Sequence, residues 1–430
     1  MNAQKAVGWI TQRLLYRQTT ILRTSRRFSF GATRSKPITE YPYLEVLTDS
    51  ESANRYGAGG FFPIHLGDQF KGGRYKILHK LSWGSDSTVW AARDQREGKY
   101  VAIKVLGSDR QEPRWQLDIM RAIAVQLPKH PGSRNLVRML DQFCVRGHDF
   151  LVLELLGQNV QDYVTWCVVD ERLPGKKAKR IAKETLLGLD YLHTQGITHG
   201  DLHTRNLAFT IPCLDHLSEE DFCKELGDIR RAEFKRRDGG PLEPGLPKYL
   251  VGSAFFPKYS YPLSPSTNIK IVDFGQAFLS KSPPATVCTP LVLRPPEVVF
   301  GDPIDYRVDL WSMGCLLFEL ITGQPPFDNV FFTPTSHVRD MVGTLAGEQL
   351  PHRWQQKWLA LDRAKPPEEP SGYTLQTWLE EAYFDEEKEQ DLSRRDIRKV
   401  GELVQRMLRF EPTARATAAE ILKDPWFEDV

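Results

Sequence analysis

Apolar and polar residues alternate from Arg74 to Asp94, a period of two that is typical of β-strands. Two strands joined by a tight turn account for this stretch. A third strand is predicted at 100–106, and apolar residues recur at helical spacing over 115–125. Together these elements predict a small, sheet-rich lobe over residues 69–156.

The pattern becomes helical from about residue 157 onward. Residues 178–194, 307–322 and 397–408 each place apolar side chains at intervals of three and four, as one buried helix face requires. The predicted fold class is therefore α+β, with a small β-rich N-terminal lobe and a larger helical C-terminal lobe over 157–430. A linker rich in Gly, Tyr and Pro precedes the sheet at 40–68.

A segment that fits neither lobe lies at about 209–268. It holds many prolines, a helical stretch near 218–236 and the helix-breaking pair Gly239-Gly240. Structureless connections of this length are uncommon inside a compact domain. We therefore predict an insertion in the larger lobe that lies outside its core.

Composition argues against several classes of partner. The 430 residues include 57 basic and 55 acidic side chains, and the net charge of +2 gives no general attraction to nucleic acid or acidic membranes. No run of 18 apolar residues predicts a membrane-spanning helix. The six cysteines form no C-x-x-C pair, which indicates reduced thiols. We expect a monomer without direct nucleic-acid contacts.

The first 39 residues have a composition of their own. They contain no Asp or Glu, and eight Lys and Arg residues are spread among Ser, Thr and apolar residues. Such a segment is typical of a mitochondrial transit peptide, particularly since Trp9, Ile10, Leu14 and Leu15 can share one face of a short helix. A basic tail without structure is the alternative.

Candidate chemistry is concentrated in two runs, His-Gly-Asp-Leu-His-Thr-Arg-Asn at 199–206 and Asp-Phe-Gly at 273–275. Phosphoryl transfer needs an aspartate that accepts a hydroxyl proton, an asparagine shortly after it and a second aspartate before Phe-Gly. We predict that Asp201 is the catalytic base. Asn206 and Asp273 are predicted to hold Mg²⁺ between the phosphates.

Residues for a nucleotide are predicted earlier in the chain. The stretch from Leu81 to Val89 stands where a glycine-rich loop would cover the phosphates of ATP, although Gly84 is its single glycine. Lys104, in Val-Ala-Ile-Lys, is predicted as a catalytic residue that pairs with the α- and β-phosphates. Val89 and Ala102 are predicted to pack on the adenine.

An acidic partner for Lys104 and a hinge complete the nucleotide prediction. Lys104 needs an acidic partner on the following helix, for which Asp118 is the candidate and Glu112 the alternative. The apolar strand around Leu153 leads into a hinge. There, backbone atoms of Glu154 and Leu156 are predicted to bind adenine.

The later motifs decide the class of acceptor. His-Gly-Asp-Leu-His with a following Asn also resembles small-molecule phosphotransferases of the aminoglycoside and choline kinase type, which lack a peptide-binding activation segment. Here three more motifs follow: Arg294–Glu297, Asp309–Gly314 and Arg409–Thr417. Glu297 and Arg415 are predicted to form a buried ion pair, and Asp309 is predicted to brace the run at 199–206.

The order and spacing of these motifs from Tyr75 to Phe427 resemble a eukaryotic protein Ser/Thr kinase. Within that class, Gly59–Asp68, Trp83-Gly84, Ser87–Trp90 and Leu155–Gly157 are similar to the SR-protein kinase family, particularly its fungal-type relatives. The resemblance implies a two-lobed kinase fold that uses ATP and Mg²⁺ to phosphorylate serine in Arg/Ser-rich splicing proteins. It also implies a place in mRNA processing and in the nucleus or cytoplasm, with the mitochondrion as the alternative from the N-terminal segment.

Several positions depart from the kinase pattern. Gly200 stands where an arginine usually reads a phosphate on the activation loop, which predicts activity without loop phosphorylation. Ser82, Asp118 and His203 replace residues typical of active kinases. An active protein kinase is the favoured hypothesis because Lys104 and the three phosphoryl-transfer residues are present. A pseudokinase scaffold is the alternative, and nucleotide-binding and turnover assays separate the two.

Overall fold

A computed structural model describes residues 43–44, 49–57, 59–108, 115–125, 130–168, 171–233, 235–236, 238–243, 245–255, 267–327, 333–345, 347–361, 374–386 and 388–428. The predicted transit segment at 1–39 and Glu112 lie outside these residues. The chain forms two compact units. The first comprises 1–111, 140–153 and 214–257, and the second comprises 112–139, 154–213 and 258–430. The predicted insertion thus contributes 214–257 to the unit that contains the sheet.

The first unit is built on a six-stranded sheet with the order β2-β3-β4-β5-β7-β6. Its strands are β2 (Gln69–Phe70), β3 (Tyr75–Trp83), β4 (Ser87–Asp94), β5 (Lys99–Leu106), β6 (Met139–Val145) and β7 (His148–Glu154). The pairs β2–β3, β3–β4 and β4–β5 are antiparallel. The two strands predicted between Arg74 and Asp94, and the strand predicted at 100–106, are confirmed.

The core beneath this sheet is not made by the sheet alone. Tyr75, Trp90 and other strand residues pack into one buried cluster, which also takes Phe62 from the segment before the sheet and Val251 from the insertion. Burying these apolar side chains is favourable in proportion to the area removed from water. Three separate parts of the sequence therefore share a single core.

The insertion is more strand-like than its sequence predicts. A short helix, α4 (Glu219–Glu225), is followed by β10 (Arg231–Glu233), β11 (Lys235–Arg236) and β12 (Tyr249–Val251). Strand β10 pairs with β12, and β11 pairs with β1 (Tyr43–Leu44). The single helical stretch expected near 218–236 is therefore wrong beyond residue 225, where pairing with distant strands outweighs local helix propensity.

Part of the insertion is also buried, contrary to the expectation that it lies outside the core. The rings of Phe222 and Tyr100 are stacked with centroids 3.7 Å apart, and Phe222 is completely buried. The backbone N–H of Tyr100 donates to the carboxylate of Asp215 at 2.8 Å, and its hydroxyl donates to the carbonyl of Leu217 at 2.9 Å. Aromatic packing of this kind, backed by hydrogen bonds, fixes the insertion to β5.

The second unit is largely helical. Its helices are α1 (Trp115–Val125), α2 (Val160–Cys167), α3 (Gly175–Thr194), α5 (Pro296–Phe300), α6 (Arg307–Thr322), α7 (Pro334–Thr344), α8 (His352–Leu361), α9 (Leu375–Tyr383), α10 (Arg394–Met407) and α11 (Ala418–Leu422). Helix α6 is buried on nearly every side and packs against α3, α9 and α10. The three helices predicted from periodicity correspond to α3, α6 and α10.

Two short antiparallel ladders in the second unit position the candidate chemistry. Strand β8 (Ile197–Thr198) pairs with β14 (Phe278–Leu279), and β9 (Leu207–Phe209) pairs with β13 (Ile269–Ile271). The run at 199–206 connects β8 to β9, and the run at 273–275 lies between β13 and β14. The predicted two-lobed α+β class is confirmed. Among the described residues, no helix is both long and apolar enough to cross a membrane.

Replacing Phe222 by Ala tests the role of the insertion in the core. We expect the free energy of unfolding to fall by about 3 to 5 kcal/mol, because a buried aromatic ring and its stacking partner are lost. Denaturant unfolding followed by tryptophan fluorescence measures this change. The matched control is Phe255→Ala, since Phe255 also lies in the insertion but is 46% exposed, and it should cost less than about 1 kcal/mol. Equal effects of the two changes would contradict the assignment.

Candidate active site

The candidate catalytic loop, residues 199–206, ends in one 3₁₀ turn, Thr204–Asn206. The side-chain amide of Asn206 donates to the backbone carbonyl of Asp201 at 2.8 Å and approaches the Oδ2 of Asp201 at 3.3 Å. Among the described residues, the Oδ1 of Asp201 has no hydrogen-bond partner although it is buried. The loop therefore holds Oδ2 of the Asp201 carboxylate next to the Asn206 amide and leaves Oδ1 without a hydrogen bond from the described residues.

Asp309 determines the conformation of this loop. From the first turn of α6, its Oδ2 accepts the backbone N–H of His199 and its Oδ1 accepts that of Gly200, both at 2.8 Å. The Oδ2 of Asp309 also lies 3.0 Å from the Nε2 of His193. Asp309 is 1% exposed, and hydrogen bonds to a buried carboxylate are among the stronger ones. The predicted brace is confirmed.

The Asp-Phe-Gly run lies next to the catalytic loop. The backbone N–H of Val272 donates to the carbonyl of Asn206 at 2.9 Å, which extends the β9–β13 ladder to the two predicted metal ligands. Asp273 has a left-handed backbone (φ 61°, ψ 79°), and its Oδ1 accepts the N–H of Gly275 at 3.0 Å. Phe274 is buried, with its ring 5.3 Å from that of His199.

Asn206 and Asp273 offer a carboxamide oxygen and a carboxylate, which are ligands that suit a hard cation such as Mg²⁺. Because the amide nitrogen of Asn206 is directed to Asp201, its amide oxygen is the atom left to ligate. Among the described residues, no group of three His, Cys, Asp or Glu side chains is placed to hold a metal ion by itself. This donor set fits an ion that takes its other ligands from phosphates and water.

The side chain of His203 lies next to those of Asp201 and Asn206. Its Nδ1 accepts the backbone N–H of Arg205 at 3.2 Å, which places the proton of a neutral ring on Nε2. That Nε2 lies 3.5 Å from the Oδ2 of Asp201 and 3.2 Å from the amide nitrogen of Asn206. The imidazole thus occupies the space beside the candidate base.

Gly200 has a structural reason for replacing an arginine. Its φ is +77°, and a Cβ at this position would lie 2.5 Å from the carbonyl oxygen of Gln276. Any side chain would collide with backbone there, and L-residues are also strained at this φ. The loop conformation set by Asp309 therefore requires glycine at this position.

The segment after Asp-Phe-Gly is held by contacts of its own. The side-chain oxygen of Gln276 accepts the backbone N–H of Cys288 at 3.2 Å, and the hydroxyl of Thr289 donates to the carbonyl of Gly200 at 3.2 Å. The first contact links two parts of the segment, and the second joins it to the loop at 199–206 without any phosphate group. Sequence reasoning missed both residues, because no local pattern of residue types records these contacts.

The end of this segment is anchored by the predicted ion pair. The two guanidinium nitrogens of Arg415 contact the two carboxylate oxygens of Glu297 at 2.6 and 2.7 Å, and both side chains are almost fully buried. Arg415 also donates to the carbonyl of Arg307 and lies over the ring of Trp311. A buried pair with this bidentate geometry costs several kcal/mol to break. The prediction is confirmed.

In the first unit, the predicted nucleotide residues share one face of the sheet. Val89 lies directly opposite Lys104 in the β4–β5 ladder, and Ala102 lies two residues before Lys104 on the same strand. Lys104 is 7% exposed. Leu81 lies at an irregularity of β3, and the N–H of Gly84 donates to the carbonyl of Ser87 at 2.8 Å, which closes the loop.

The predicted hinge begins at the end of β7, and its conformation is set by Glu154. The backbone N–H of Glu154 donates to the carbonyl of Arg138 at 3.0 Å. The carboxylate of Glu154 accepts the N–H of Arg138 at 2.7 Å and pairs with Lys270 at 2.8 Å. No sequence motif indicates Lys270. These contacts position the backbone that leads into Leu156.

The predicted partner of Lys104 is in an exposed position. Asp118 on α1 is 67% exposed in its side chain and pairs with Arg121 of the same helix at 3.2 Å. The neighbouring polar residue Gln116 is buried instead, with 3% exposure. The pairing of Asp118 with Lys104 stays a prediction.

Comparison with known proteins agrees with this geometry. Residues 75–212 and 263–427 match the family described as the protein kinase domain. The chain belongs to the protein kinase family. The gap between the two matched stretches coincides with most of the insertion.

The kinase is similar to several serine/threonine kinases along nearly its whole length. It is 27% identical to the serine/threonine-protein kinase SRPK of Physarum polycephalum over 411 residues, covering 89% of this chain and 92% of that protein. It is 25% identical to protein kinase dsk1 of Schizosaccharomyces pombe, covering 90% and 86%. A shorter match, 32% identical over 173 residues, links it to the human SRSF protein kinase 3, covering 38% of this chain and 30% of that protein.

These matches confirm the predicted class. The protein is a serine/threonine protein kinase that is related to the SR-protein kinases, and its phosphoryl donor is ATP.

Replacing Gly200 by Ala tests the constraint on the catalytic loop of this kinase. We expect kcat to fall at least about tenfold, because the added methyl group displaces Gln276 or the loop. The matched control is Gly301→Ala. Gly301 has a similar φ of +67° but nothing within 4 Å of a Cβ, so it should lose only about 1 to 2 kcal/mol of stability and retain kcat. Unchanged kcat in Gly200→Ala would contradict the steric argument.

Proposed function

We propose that this kinase transfers the γ-phosphate of ATP to serine or threonine hydroxyls of Arg/Ser-rich splicing proteins, with Asp201 as the catalytic base. The observation that carries the proposal is the arrangement of Asp201, Asn206 and Asp273 around one braced loop. The Oδ1 of Asp201 accepts no hydrogen bond from the described residues, and the side-chain amide of Asn206 donates to the backbone carbonyl of Asp201. A positioned carboxylate of this kind orients an acceptor hydroxyl and takes its proton.

Asn206 and Asp273 are proposed to hold Mg²⁺. The ion supplies neutralisation of charge between the phosphates when it is bound. The chain holds both residues rigidly. Asn206 directly precedes β9, and Asp273 comes shortly after β13, which pairs with β9. Phe274 packs against His199. Asp273 is further fixed by the N–H of Gly275.

The nucleotide is proposed to bind the residues that the sequence predicts for it. Lys104 pairs with the α- and β-phosphates, and Leu81, Val89 and Ala102 pack on the adenine and ribose. Gly84 lets the loop backbone approach the phosphates. Backbone atoms of Glu154 and Leu156 bind the adenine edge. Asp118 is retained as the proposed partner of Lys104, although its contact with Arg121 competes for the carboxylate.

Activity is proposed not to depend on phosphorylation of the activation segment. No arginine can occupy position 200 without a collision with Gln276, so the usual phosphate reader is missing. Gln276 and Thr289 instead tie the segment to Cys288 and to the catalytic loop through neutral hydrogen bonds. Neutral contacts of this kind need no phosphate to form.

The substrate class rests on the resemblance of the chain and on the names of its relatives, which include SRPK and SRSF protein kinase 3. We propose that the enzyme acts as a monomer on a protein substrate and makes no direct contact with nucleic acid.

Replacing Asp201 by Asn tests the proposed base. We expect kcat to fall by roughly 10²- to 10⁴-fold, because the amide cannot accept the hydroxyl proton, while the affinity for ATP stays near that of the wild type. Radiolabelled phosphate transfer and equilibrium nucleotide binding measure the two quantities. Asp273→Asn should instead remove the Mg²⁺-dependent part of nucleotide binding. Undiminished transfer in Asp201→Asn would disprove the role of the base.

The substrate class is tested with the full chain, ATP and Mg²⁺, an Arg/Ser repeat peptide and a generic basic protein. Preferential transfer to the repeat, abolished in Asp201→Asn, is the expected result because the chain resembles the SR-protein kinases. A repeat with Lys in place of Arg keeps the charge and removes the guanidinium, so it is the matched control. Transfer to the generic protein alone would contradict the proposed substrate while leaving the kinase activity intact.

A further inference from the structure

The loop that connects β3 to β4 is held by residues that precede the sheet. We name residues 49–57 and 59–61 the N-terminal strap. The strap and the loop belong to the same compact unit. Under the function proposed above, this loop covers the phosphates of ATP, and the inference that follows rests on that assignment.

The tip of the loop is bound by Arg55. The guanidinium of Arg55 donates a hydrogen bond to the backbone carbonyl of Ser85 and lies 3.2 Å from the Oδ1 of Asp86. The other carboxylate oxygen of Asp86 accepts the hydroxyl of Ser85 at 2.8 Å. The backbone carbonyl of Asp86 accepts the N–H of Gly107, which follows β5, at 2.9 Å. The tip is therefore fixed from two sides.

Arg55 is itself held in position. Its guanidinium lies 5.1 Å from the ring centre of Phe61, which is 3% exposed. The N–H of Phe61 donates to the carbonyl of Arg55 at 2.7 Å. A Cβ at Gly60 would lie 2.0 Å from that same carbonyl oxygen, so this turn requires glycine. A cation over a buried aromatic ring loses little further freedom when it binds its partner.

The base of the loop is bound by Asp49. The indole N–H of Trp83 donates to the backbone carbonyl of Asp49 at 3.2 Å. The same carbonyl accepts the hydroxyl of Ser253 at 3.3 Å, and the carboxylate of Asp49 pairs with Arg230. Ser253 and Arg230 belong to the insertion. The strap thus links the insertion to the nucleotide loop.

We propose that the N-terminal strap holds the nucleotide loop in its phosphate-binding conformation, with Arg55 as the positioning residue. A loop with one glycine has few backbone conformations in which its amides can approach phosphates. Fixing the correct one in advance removes an ordering cost that nucleotide binding would otherwise carry. The strap contacts the loop through Arg55 and Asp49 and takes no part in the chemistry.

Replacing Arg55 by Ala tests the proposal in the full chain. We expect the Kd for a fluorescent N-methylanthraniloyl ATP with Mg²⁺ to rise on the order of fivefold, mainly through faster dissociation. The size is modest because the side chains of Arg55 and Asp86 are 50% and 58% exposed. KM for ATP should rise by the same factor, while kcat and KM for the protein substrate stay unchanged. The Kd of Arg55→Lys should lie between those of the wild type and Arg55→Ala, since lysine keeps the charge and lacks the planar guanidinium.

Two further variants make the test specific. Asp86→Asn removes the same charge contact from the loop side, and its effect should be largely absent when Arg55→Ala is already present. Arg96→Ala is the matched control, because Arg96 is 74% exposed, pairs only loosely with Glu97 at 3.7 Å and follows β4 away from the strap. It should leave Kd unchanged.

The outcomes separate the two proposals. A wild-type protein that binds ATP and transfers phosphate, with Arg55→Ala binding equally well, overturns the role of the strap alone. Additive effects of Arg55→Ala and Asp86→Asn also overturn it. A wild-type protein that binds no ATP overturns the proposed function and the role of the strap with it.

Discussion

The arrangement of the candidate site in the second unit depends on the hydrogen bonds that the carboxylate of Asp309 accepts. It lies in the first turn of a helix that is buried on nearly every side, so it cannot move without disturbing the core of the unit. Its two oxygens each accept one backbone N–H, from His199 and Gly200. This imposes the backbone that only glycine tolerates at position 200. Asp201 is the next residue in the chain, and Asn206 ends the same loop. The short β9–β13 ladder that begins after Asn206 then positions Asp273.

A second constraint acts in the sheet unit, where the insertion and the N-terminal strap become part of the fold. Phe222 stacks on Tyr100 and Val251 joins the core below the sheet, so the insertion stabilises the strands that carry Lys104. Asp49 receives contacts from the insertion and from Trp83 of the nucleotide loop. Elements that a kinase alignment would leave out as linker and insertion therefore determine the shape of the loop.

The departures from the kinase pattern have local physical reasons. The backbone carbonyl of Gln276 leaves no room for an arginine side chain at position 200. Instead, the neutral hydrogen bond of Thr289 to Gly200 joins the activation segment to the loop, and that of Cys288 to Gln276 links two parts of the segment. His203 fits between Asp201 and Asn206 with Nδ1 bound to a backbone N–H. Both replacements fit the compact loop that Asp309 braces.

The sequence by itself determined the α+β class, the strands from Arg74 to Leu106, the long helices and the motif residues Asp201, Asn206 and Asp273. These follow from periodicity and from short spacings, because the forces that set them act between near neighbours in the chain. The Glu297–Arg415 pair and the Asp309 brace were also predictable from the sequence, because the motifs that contain them occur in the order typical of protein kinases. Only the tertiary structure decided the burial of Phe222, the exposure of Asp118 and the contacts of Arg55 with the loop tip. Each of these depends on which distant segments pack together, and a local pattern of residue types carries no record of such packing.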